Sequence, residues 1–295
     1  MKLIIVSGLS GSGKSGALHT FEDLGFYCVD NLPLNLLPAF TQDLLRRNGQ
    51  QPKAAVSIDA RNHIDVLNRF PKIIEEIRAS GLTEDQPALD VEVLFLRADP
   101  ETLTRRYSES RRSHPLSADG IPLTDAIRRE DDLLDPVRIM ADLIIDTSRI
   151  HIHQLRKLIH ERVLDRKPKT LSLLLQSFGF KHGIPTDADF VFDIRCLPNP
   201  YWHTNLRPLT GKDRLVADFL EQQPQVEQMY RHIESFLLTW LPAFQTDNRS
   251  YLTVALGCTG GQHRSVYMVE RLYRELSRHC PKINARHHEL ESGHP

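Results

Sequence analysis

The chain has few cysteines and no long apolar run, and each absence excludes a class of protein. The four cysteines are Cys28, Cys196, Cys258 and Cys280. They are scattered and form no Cys-x-x-Cys pair, which argues against a structural zinc site and for a reducing compartment such as the cytoplasm. No apolar run approaches the roughly 20 residues that a membrane-spanning helix needs, and the first residues lead straight into an apolar segment without a signal peptide. The sequence therefore predicts a cytoplasmic protein with no membrane partner.

The chain also lacks a strong net charge of either sign. Its 37 basic and 38 acidic residues give a formal net charge of −1, so any nucleic-acid site must be a local patch rather than a property of the whole surface. With 40% apolar and 25% charged residues, the composition is that of a globular protein. A length of 295 residues is long for one hydrophobic core, which predicts two domains.

Strand-like and helix-like segments alternate through the first half, which predicts an α/β fold with a parallel sheet and helices on both faces. Strands are predicted over 2–7, 26–30, 53–59, 91–97 and 142–146, and helices over 14–24, 34–48, 62–80, 100–110, 123–140 and 151–166. Ligands of such sheets bind beyond the carboxyl ends of the strands. Each strand end in this half is therefore a candidate site.

The tripeptide Lys167-Pro168-Lys169 separates a helical pattern from a new apolar strand. It predicts a first domain over 1–166, a linker over 167–170, and a smaller α/β domain over 171–295. In the second domain, strands are predicted over 171–177, 190–195, 251–256 and 283–287, and helices over 212–222, 225–240 and 264–279.

A complete phosphate-binding loop follows the first strand. It consists of Gly8, Leu9, Ser10, Gly11, Ser12, Gly13, Lys14 and Ser15. Its glycines leave the backbone free to curl, so that successive N–H groups point at phosphate oxygens at the start of a helix. Lys14 reaches the β- and γ-phosphates, and the Ser15 hydroxyl is placed to ligate Mg²⁺. The motif predicts a nucleotide site with Mg²⁺.

Acidic residues end the next two strands. Asp59 stands where P-loop proteins keep the carboxylate that holds Mg²⁺, directly or through water; alternatively, Asp59 or Asn62 caps the next helix. Asp30 stands where small-molecule kinases often keep a catalytic carboxylate; alternatively, Asp30 and Asn31 form a turn or cap the following helix. Both interpretations remain open for each residue.

Four arginines follow the fourth strand, at Arg105, Arg106, Arg111 and Arg112. Arginines at this place in nucleoside and nucleotide kinases neutralise phosphates during transfer. An arginine-rich helix face is otherwise simply solvated. Together with the phosphate loop, these residues leave a small-molecule kinase or NTPase as an alternative function.

A second anion loop follows the predicted strand 251–256. Its candidate ligand residues are Cys258, Thr259, Gly260, Gly261, His263, Arg264 and Ser265. The spacing fits Cys-x5-Arg-Ser, the phosphate loop of cysteine-dependent phosphatases, in which glycines, a helix N-terminus and a fixed cation surround an anion. Gly257 replaces the histidine of those enzymes, so we favour binding of an anion or sugar phosphate; a cysteine phosphatase and a plain tight turn are the alternatives.

The helix after this loop carries a basic stripe. At about 100° per residue, Arg264, Arg271, Arg274 and Arg278 lie on one side, while Val269, Leu272 and Leu276 lie on the other and are expected to face the core. Lys282 and Arg286 extend the basic character. The stripe is either a solvated face or a surface that follows an RNA backbone.

Five segments occur in an order that resembles the RapZ/YvcJ family over essentially the whole chain. They are residues 8–15, 25–33, 177–185, 193–200 and 257–265, and residues 248–252 also fit. The first is shared with many NTPases, whereas the middle and C-terminal segments are specific to this family. On these motifs the chain is identified as a member.

The resemblance implies a P-loop domain that binds ATP or GTP, with Asp59, Ala60, Arg61 and Asn62 matching a second nucleotide motif. It implies a C-terminal domain that binds small regulatory RNA, and a homo-oligomeric, tetrameric adapter that presents this RNA to RNase E. The loop at 258–265, with Asn248, is similar to the family's pocket for glucosamine-6-phosphate. The resemblance thus implies a regulator of amino-sugar synthesis for the cell envelope, with at most weak ATP or GTP hydrolysis.

Overall fold

The computed structural model describes residues 1–46, 53–62, 64–80, 89–110, 112–117, 121–164, 171–246 and 249–291. The chain divides into two compact units, Met1–Leu164 and Asp165–Pro295. The predicted linker at 167–170 and two candidate site residues, Arg111 and Asn248, lie outside the described residues.

The first unit is built on a parallel sheet. Its strands are β1 (Lys2–Gly8), β2 (Tyr27–Val29), β3 (Lys53–Ser57), β4 (Asp90–Arg97) and β5 (Leu143–Asp146), in the order β2-β3-β1-β4-β5. β1 lies in the centre, and its apolar run from Leu3 to Val6 is fully buried. A continuous apolar run is what a strand covered on both faces requires.

Helices cover this sheet, and most of them are shorter than the sequence pattern indicated, whereas α5 has the predicted bounds. They are α1 (Lys14–Asp23), α2 (Leu37–Arg46), α3 (Ile64–Leu67), α4 (Phe70–Ser80), α5 (Pro100–Ser110), α6 (Leu123–Leu133), α7 (Asp135–Ile139) and α8 (Ile152–Ile159). The predicted helix 62–80 is divided between α3 and α4, and 123–140 is divided between α6 and α7. Pro136 stands in the first turn of α7, where it has no N–H to continue the preceding helix.

The second unit has its own parallel sheet and its own core. The strands are β6 (Ser172–Gly179), β7 (Phe190–Asp193), β8 (Tyr251–Cys258) and β9 (Ile283–His287), in the order β7-β8-β6-β9. The helices are α9 (Arg214–Glu221), α10 (Pro224–Thr246), α11 (Arg264–Leu276) and α12 (His288–Glu291). The two parallel sheets confirm the predicted α/β fold class.

Each anion loop begins where an inner strand of a sheet ends. The phosphate loop leaves β1 at Gly8, and the second loop leaves β8 at Cys258. Such strand ends are where open α/β sheets bind ligands. Among the described residues, no helix combines the length and the apolar character needed to cross a bilayer.

Candidate functional site

The phosphate loop is held open by glycines in left-handed backbone conformations. Gly8, Gly11 and Gly13 have φ angles of 136°, 86° and 107°, which side chains disfavour. Gly8 pairs with Leu96 of β4, and a Cβ at Gly8 would lie 1.9 Å from the Leu96 carbonyl oxygen. Glycine is therefore required at this position both by conformation and by the close approach of the neighbouring strand.

Lys14 begins α1 and folds its side chain over the loop. Its Nζ donates to the carbonyl oxygens of Gly8 at 2.6 Å and Leu9 at 3.0 Å. Burial lowers the pKa of the Lys14 ammonium, while the carboxylates of Glu130 and Asp59 act in the opposite direction. A cation fixed at a helix N-terminus is suited to binding phosphates.

A cleft of about 400 Å³ surrounds the loop. It is lined by Ser10, Gly11, Gly13, Lys14, Ser15 and Gly16, by Asp30, Asp59, Arg61, Arg106, Tyr107 and Ser110, and by Arg112, Ser113 and Pro115. The fold thus brings together the phosphate loop, both candidate carboxylates and part of the arginine segment. Pockets of this size hold small molecules and cofactors.

Asp59 is buried and bound to Arg61 through both carboxylate oxygens. Arg61 Nε lies 2.9 Å and Nη2 2.5 Å from Asp59 Oδ2, and Arg61 Nε lies 3.1 Å from Oδ1. The Asn62 side chain accepts a hydrogen bond from Leu34 N at 2.8 Å. Asp59 lines the cleft, whereas the Asn62 side chain binds the backbone at Leu34. The Mg²⁺-binding and helix-capping interpretations of these residues both stay predictions. Ala60, the second residue of this motif, is buried.

Asp30 also faces this cleft. Its Oδ1 accepts a hydrogen bond of 2.5 Å from the Ser57 hydroxyl at the end of β3, and Ser57 Oγ accepts from Asn31 N at 2.6 Å. Asn31 has a positive φ of 52°, as expected of a turn. The structure therefore places Asp30 both in a turn and beside Lys14, so the two interpretations of this residue are compatible.

Side chains outside the motif hold the loop, and the sequence did not indicate these contacts. Arg106 donates to the carbonyl oxygens of Gly11 at 2.9 Å and Thr147 at 2.6 Å. The Thr147 hydroxyl donates to Ser12 O at 2.8 Å. Arg106 thus binds protein carbonyls and also lines the cleft. Arg105 is exposed, and Arg112 is exposed and lines the cleft. A role of these arginines at phosphates stays a prediction.

The second loop is centred on the buried thiol of Cys258. Its Sγ accepts a hydrogen bond from Gly261 N at 3.2 Å and lies 3.2 Å from Ser265 Oγ. Gly261 has a φ of 73°. A Cβ at Gly179, at the end of the adjacent β6, would lie 2.7 Å from the Gly260 carbonyl carbon. Glycines again allow backbone segments to pack closely around the loop.

Arg264 is buried rather than part of an exposed stripe, so that expectation is wrong. Its Nη1 donates to the carbonyl oxygens of Arg195 at 2.8 Å and Leu197 at 2.9 Å, and its Nη2 donates to Thr259 Oγ1 at 3.2 Å. Arg264 Nε is buried without a hydrogen-bond partner among the described residues. The guanidinium therefore ties the segment after β7 to the second loop, and its Nε remains as a donor.

His263 is directed toward another segment of the second unit. Its Nε2 lies 3.1 Å from Leu206 O. Burial lowers the pKa of His263 against the opposing effect of its hydrogen bonds to backbone carbonyls. A neutral imidazole that donates to Leu206 positions the loop, and its remaining role in binding an anion stays a prediction.

Only some of the basic residues on α11 and after it are exposed and free to contact an RNA backbone. Arg271 is paired with Glu227 at 2.5 Å and lies over the ring of Tyr230 at 3.9 Å. Arg278 pairs with Glu275 at 2.7 Å, and Arg274 is exposed. Lys282 is half-buried, whereas Arg286 is buried and so cannot extend an exposed surface. On the opposite side, Val269, Leu272 and Leu276 are fully buried as expected.

Comparisons with known proteins cover both units. The model of the RapZ-like N-terminal domain matches residues 1–167, and that of the RapZ C-terminal domain matches residues 171–291. A nucleotide-binding protein of Alkalilimnicola ehrlichii is 54% identical over 294 residues, with 98% of each chain covered. Proteins of the same description from Hahella chejuensis and Pseudomonas putida are 51% and 52% identical over 291 residues, with 98% of this chain and 99% and 100% of those proteins covered.

Among solved structures, a shikimate kinase from Bacteroides thetaiotaomicron aligns with a TM-score of 0.35 and 16% identity. The alignment covers 54% of this chain and 96% of the kinase. At this TM-score the likeness supports no conclusion about substrate or reaction.

Proposed function

The chain belongs to the RapZ family, and we propose that it is a regulatory adapter that binds ATP or GTP with Mg²⁺ in its first unit. In its second unit it binds glucosamine-6-phosphate and small regulatory RNA. The bound RNA is presented to RNase E, which controls amino-sugar synthesis. The family and its nucleotide-binding relatives support the first part of this proposal, and the resemblance supports the rest.

The observation that carries nucleotide binding is the geometry of the phosphate loop. Three glycines hold left-handed conformations, Lys14 lies over the loop, and the exposed Ser15 lines the same cleft as Asp30 and Asp59. Hydroxyl and carboxylate oxygens are the ligands that Mg²⁺ prefers. Ser15 would hold the ion, and Asp59 would hold it directly or through water. Bound Mg²⁺ supplies positive charge that neutralises the nucleotide phosphates.

The nucleotide acts as a conformational ligand in this proposal. A ligand shifts an equilibrium between conformations only by its difference in affinity for them. A small-molecule kinase is the second candidate function because Asp30 lies in the cleft with Lys14. Transfer of phosphate from ATP to a small hydroxyl compound, lost in Asp30→Asn, would favour the kinase.

The metabolite proposal rests on the second loop. The Gly261 N–H and the Ser265 hydroxyl lie at the Cys258 thiol, and the buried Arg264 binds Thr259 of the same loop. Such a set of donors at the start of α11 suits a phosphate group. The cysteine-phosphatase alternative requires Cys258-dependent phosphoester turnover, and its absence in the wild type would dismiss this alternative.

Lys14→Ala tests the nucleotide site. It removes the cation of the phosphate loop, so we expect binding of Mg-ATP and Mg-GTP to fall at least roughly 100-fold in calorimetric titrations, the loss of a strong charge-assisted contact. Lys72→Ala is the matched control because Lys72 is an exposed lysine of α4 in the same unit. Equal nucleotide affinity of Lys14→Ala and wild type would contradict the site.

A further inference from the structure

Ser10, the third residue of the phosphate loop, is held by a carboxylate that lies far away in the sequence. Ser10 N donates to Glu130 Oε2 at 2.8 Å, and Ser10 Oγ donates to Glu130 Oε1 at 2.6 Å. His114 Nε2 lies 3.0 Å from Glu130 Oε2. Glu130 is fully buried, and His114 is 3% exposed. A loop residue, a carboxylate of α6 and an imidazole therefore form one buried network.

A buried carboxylate is unfavourable unless hydrogen-bond donors and positive charge compensate it. Burial by itself raises the pKa of Glu130, but hydrogen bonds from His114 and Ser10 and the charge of Lys14 bring it below its ordinary value. Glu130 therefore stays ionised at neutral pH. An ionised acceptor forms stronger hydrogen bonds than a neutral one, so the two hydrogen bonds from Ser10 to Glu130 are strong.

We propose that Glu130 is a positioning residue of the nucleotide site, which holds Ser10 so that the phosphate loop is already curved for phosphates before nucleotide binds. His114 in turn orients Glu130. This inference rests on the proposed binding of nucleotide to the loop. It assigns a role to two residues that belong to neither nucleotide motif.

The neighbouring loop residues are held in the same manner. Arg106 of α5 binds Gly11 O, and Thr147, directly after β5, binds Ser12 O. With Glu130 on Ser10, three consecutive loop residues are each bound by a side chain from a different part of the first unit. A loop ordered in advance loses less conformational entropy when it binds, so these braces raise affinity without touching the ligand.

The network also connects the loop to a wall of the cleft. His114 follows Arg112 and Ser113 and precedes Pro115, and these three neighbours line the cleft. Holding Glu130 in place therefore fixes the segment 112–115 relative to Ser10. The same contact that orders the loop also holds the segment that carries Arg112 at the cleft.

Glu130→Gln tests the inference, because it retains the shape of the side chain and removes its charge. Glu92→Gln is the matched control: Glu92 is also buried in the first unit, where it lies 3.4 Å from Lys2. Two quantities are measured in the full-length chain: amide hydrogen exchange of residues 8–15 without nucleotide, and the affinity for Mg-ATP.

We expect faster exchange in residues 8–15 and roughly tenfold weaker Mg-ATP binding in Glu130→Gln, the scale of one hydrogen bond to a charged group. Glu92→Gln should show neither effect. Ser10→Ala combined with Glu130→Gln should weaken binding by less than the product of the single effects, because both changes remove one contact. Effects that multiply would mean that the two residues act independently, which would contradict a role of Glu130 through Ser10.

Unchanged exchange in residues 8–15 would overturn the inference, as would unchanged or tighter binding. Tighter binding would mean that the carboxylate competes with phosphate for the Ser10 amide. If the wild type binds no nucleotide, the proposed function fails, while hydrogen exchange still decides whether Glu130 orders the loop. Should Glu130→Gln not fold, Ser10→Ala removes one donor of the same contact and gives the same readouts.

Discussion

At the scale of single residues, backbone conformation and burial decide what each side chain contributes. Gly8 is needed because β4 approaches its α-carbon, and Glu130 is charged because donors surround it. Arg106 and Arg264 show the same principle for cations, since both guanidinium groups are bound by backbone carbonyls. These residues stabilise the loops through contacts with other protein groups.

Gly8→Ala should destabilise the first unit strongly. The added Cβ would lie 1.9 Å from the Leu96 carbonyl oxygen, and the φ of 136° at this position disfavours any side chain. We therefore expect a loss of roughly 2–5 kcal/mol in the free energy of unfolding. Gly25→Ala is the control, because Gly25 also has a positive φ but no atom near the added Cβ; it should cost about 1–2 kcal/mol. Urea unfolding measures both, and equal losses would contradict the steric argument.

Stability should depend on Glu130 in acid. Burial raises its pKa, but His114, Lys14 and Ser10 more than offset this, so the folded-state pKa lies below the ordinary value of 4.5. The carboxylate therefore stabilises the fold above about pH 4.5, and this contribution is lost as the pH falls through the lower folded-state pKa.

Glu130→Gln should accordingly lose less stability than the wild type between pH 5 and about pH 3, as measured by urea unfolding at stepped pH. Glu75→Gln, a change on an exposed position of α4, should follow the wild-type curve. Parallel curves for Glu130→Gln and wild type would show that the carboxylate does not titrate as argued.

At the scale of elements, parallel strands place both anion loops, and α11 combines a core face with a basic face. The core face of Val269, Leu272 and Leu276 followed from helical periodicity alone. The availability of its basic face did not follow from periodicity, because Arg271 is bound by Glu227 of α10. Helical spacing predicts which side a residue lies on, whereas the neighbouring helix decides what the side chain binds.

Reversal of Arg271, Arg274 and Arg278 to Glu should abolish the gel shift of a structured small RNA at low salt. Each phosphate contact that is lost should lower the slope of log affinity against log salt by about one. Arg214→Glu is the control, since Arg214 is an exposed arginine of α9 paired with Asp218. A wild-type protein without a salt-sensitive shift would contradict RNA binding, and an unaffected triple variant would place the RNA elsewhere.

At the scale of the whole molecule, the chain carries two anion loops in two separately packed units. One cluster of buried hydrophobic residues lies within the first unit, and another lies within the second. Each loop is positioned by its own sheet. The proposed nucleotide and metabolite sites should therefore be independent in their basic affinities, with any regulation arising from coupling between them.

Crossed substitutions test this independence. Lys14→Ala should abolish Mg-ATP binding and leave the affinity for glucosamine-6-phosphate within about twofold. Cys258→Ser should weaken glucosamine-6-phosphate binding several-fold and leave the affinity for Mg-ATP unchanged. The twofold and several-fold changes are each smaller than a tenfold change in affinity, which corresponds to about 1.4 kcal/mol. Isothermal titration measures all four affinities. Loss of both ligands in either variant would indicate a shared site or general misfolding.

The sequence by itself determined the fold class, the two anion loops and the buried face of α11, because these depend on local spacing: strand–loop–helix order, glycine positions and helical periodicity. Only the tertiary structure decided that Arg106 braces Gly11, that Arg264 is buried, and that Glu130 holds Ser10 across 120 positions of the chain. Such contacts join residues distant in sequence. Local spacing carries no information about which side chains the folded sheet brings together at the ends of its strands.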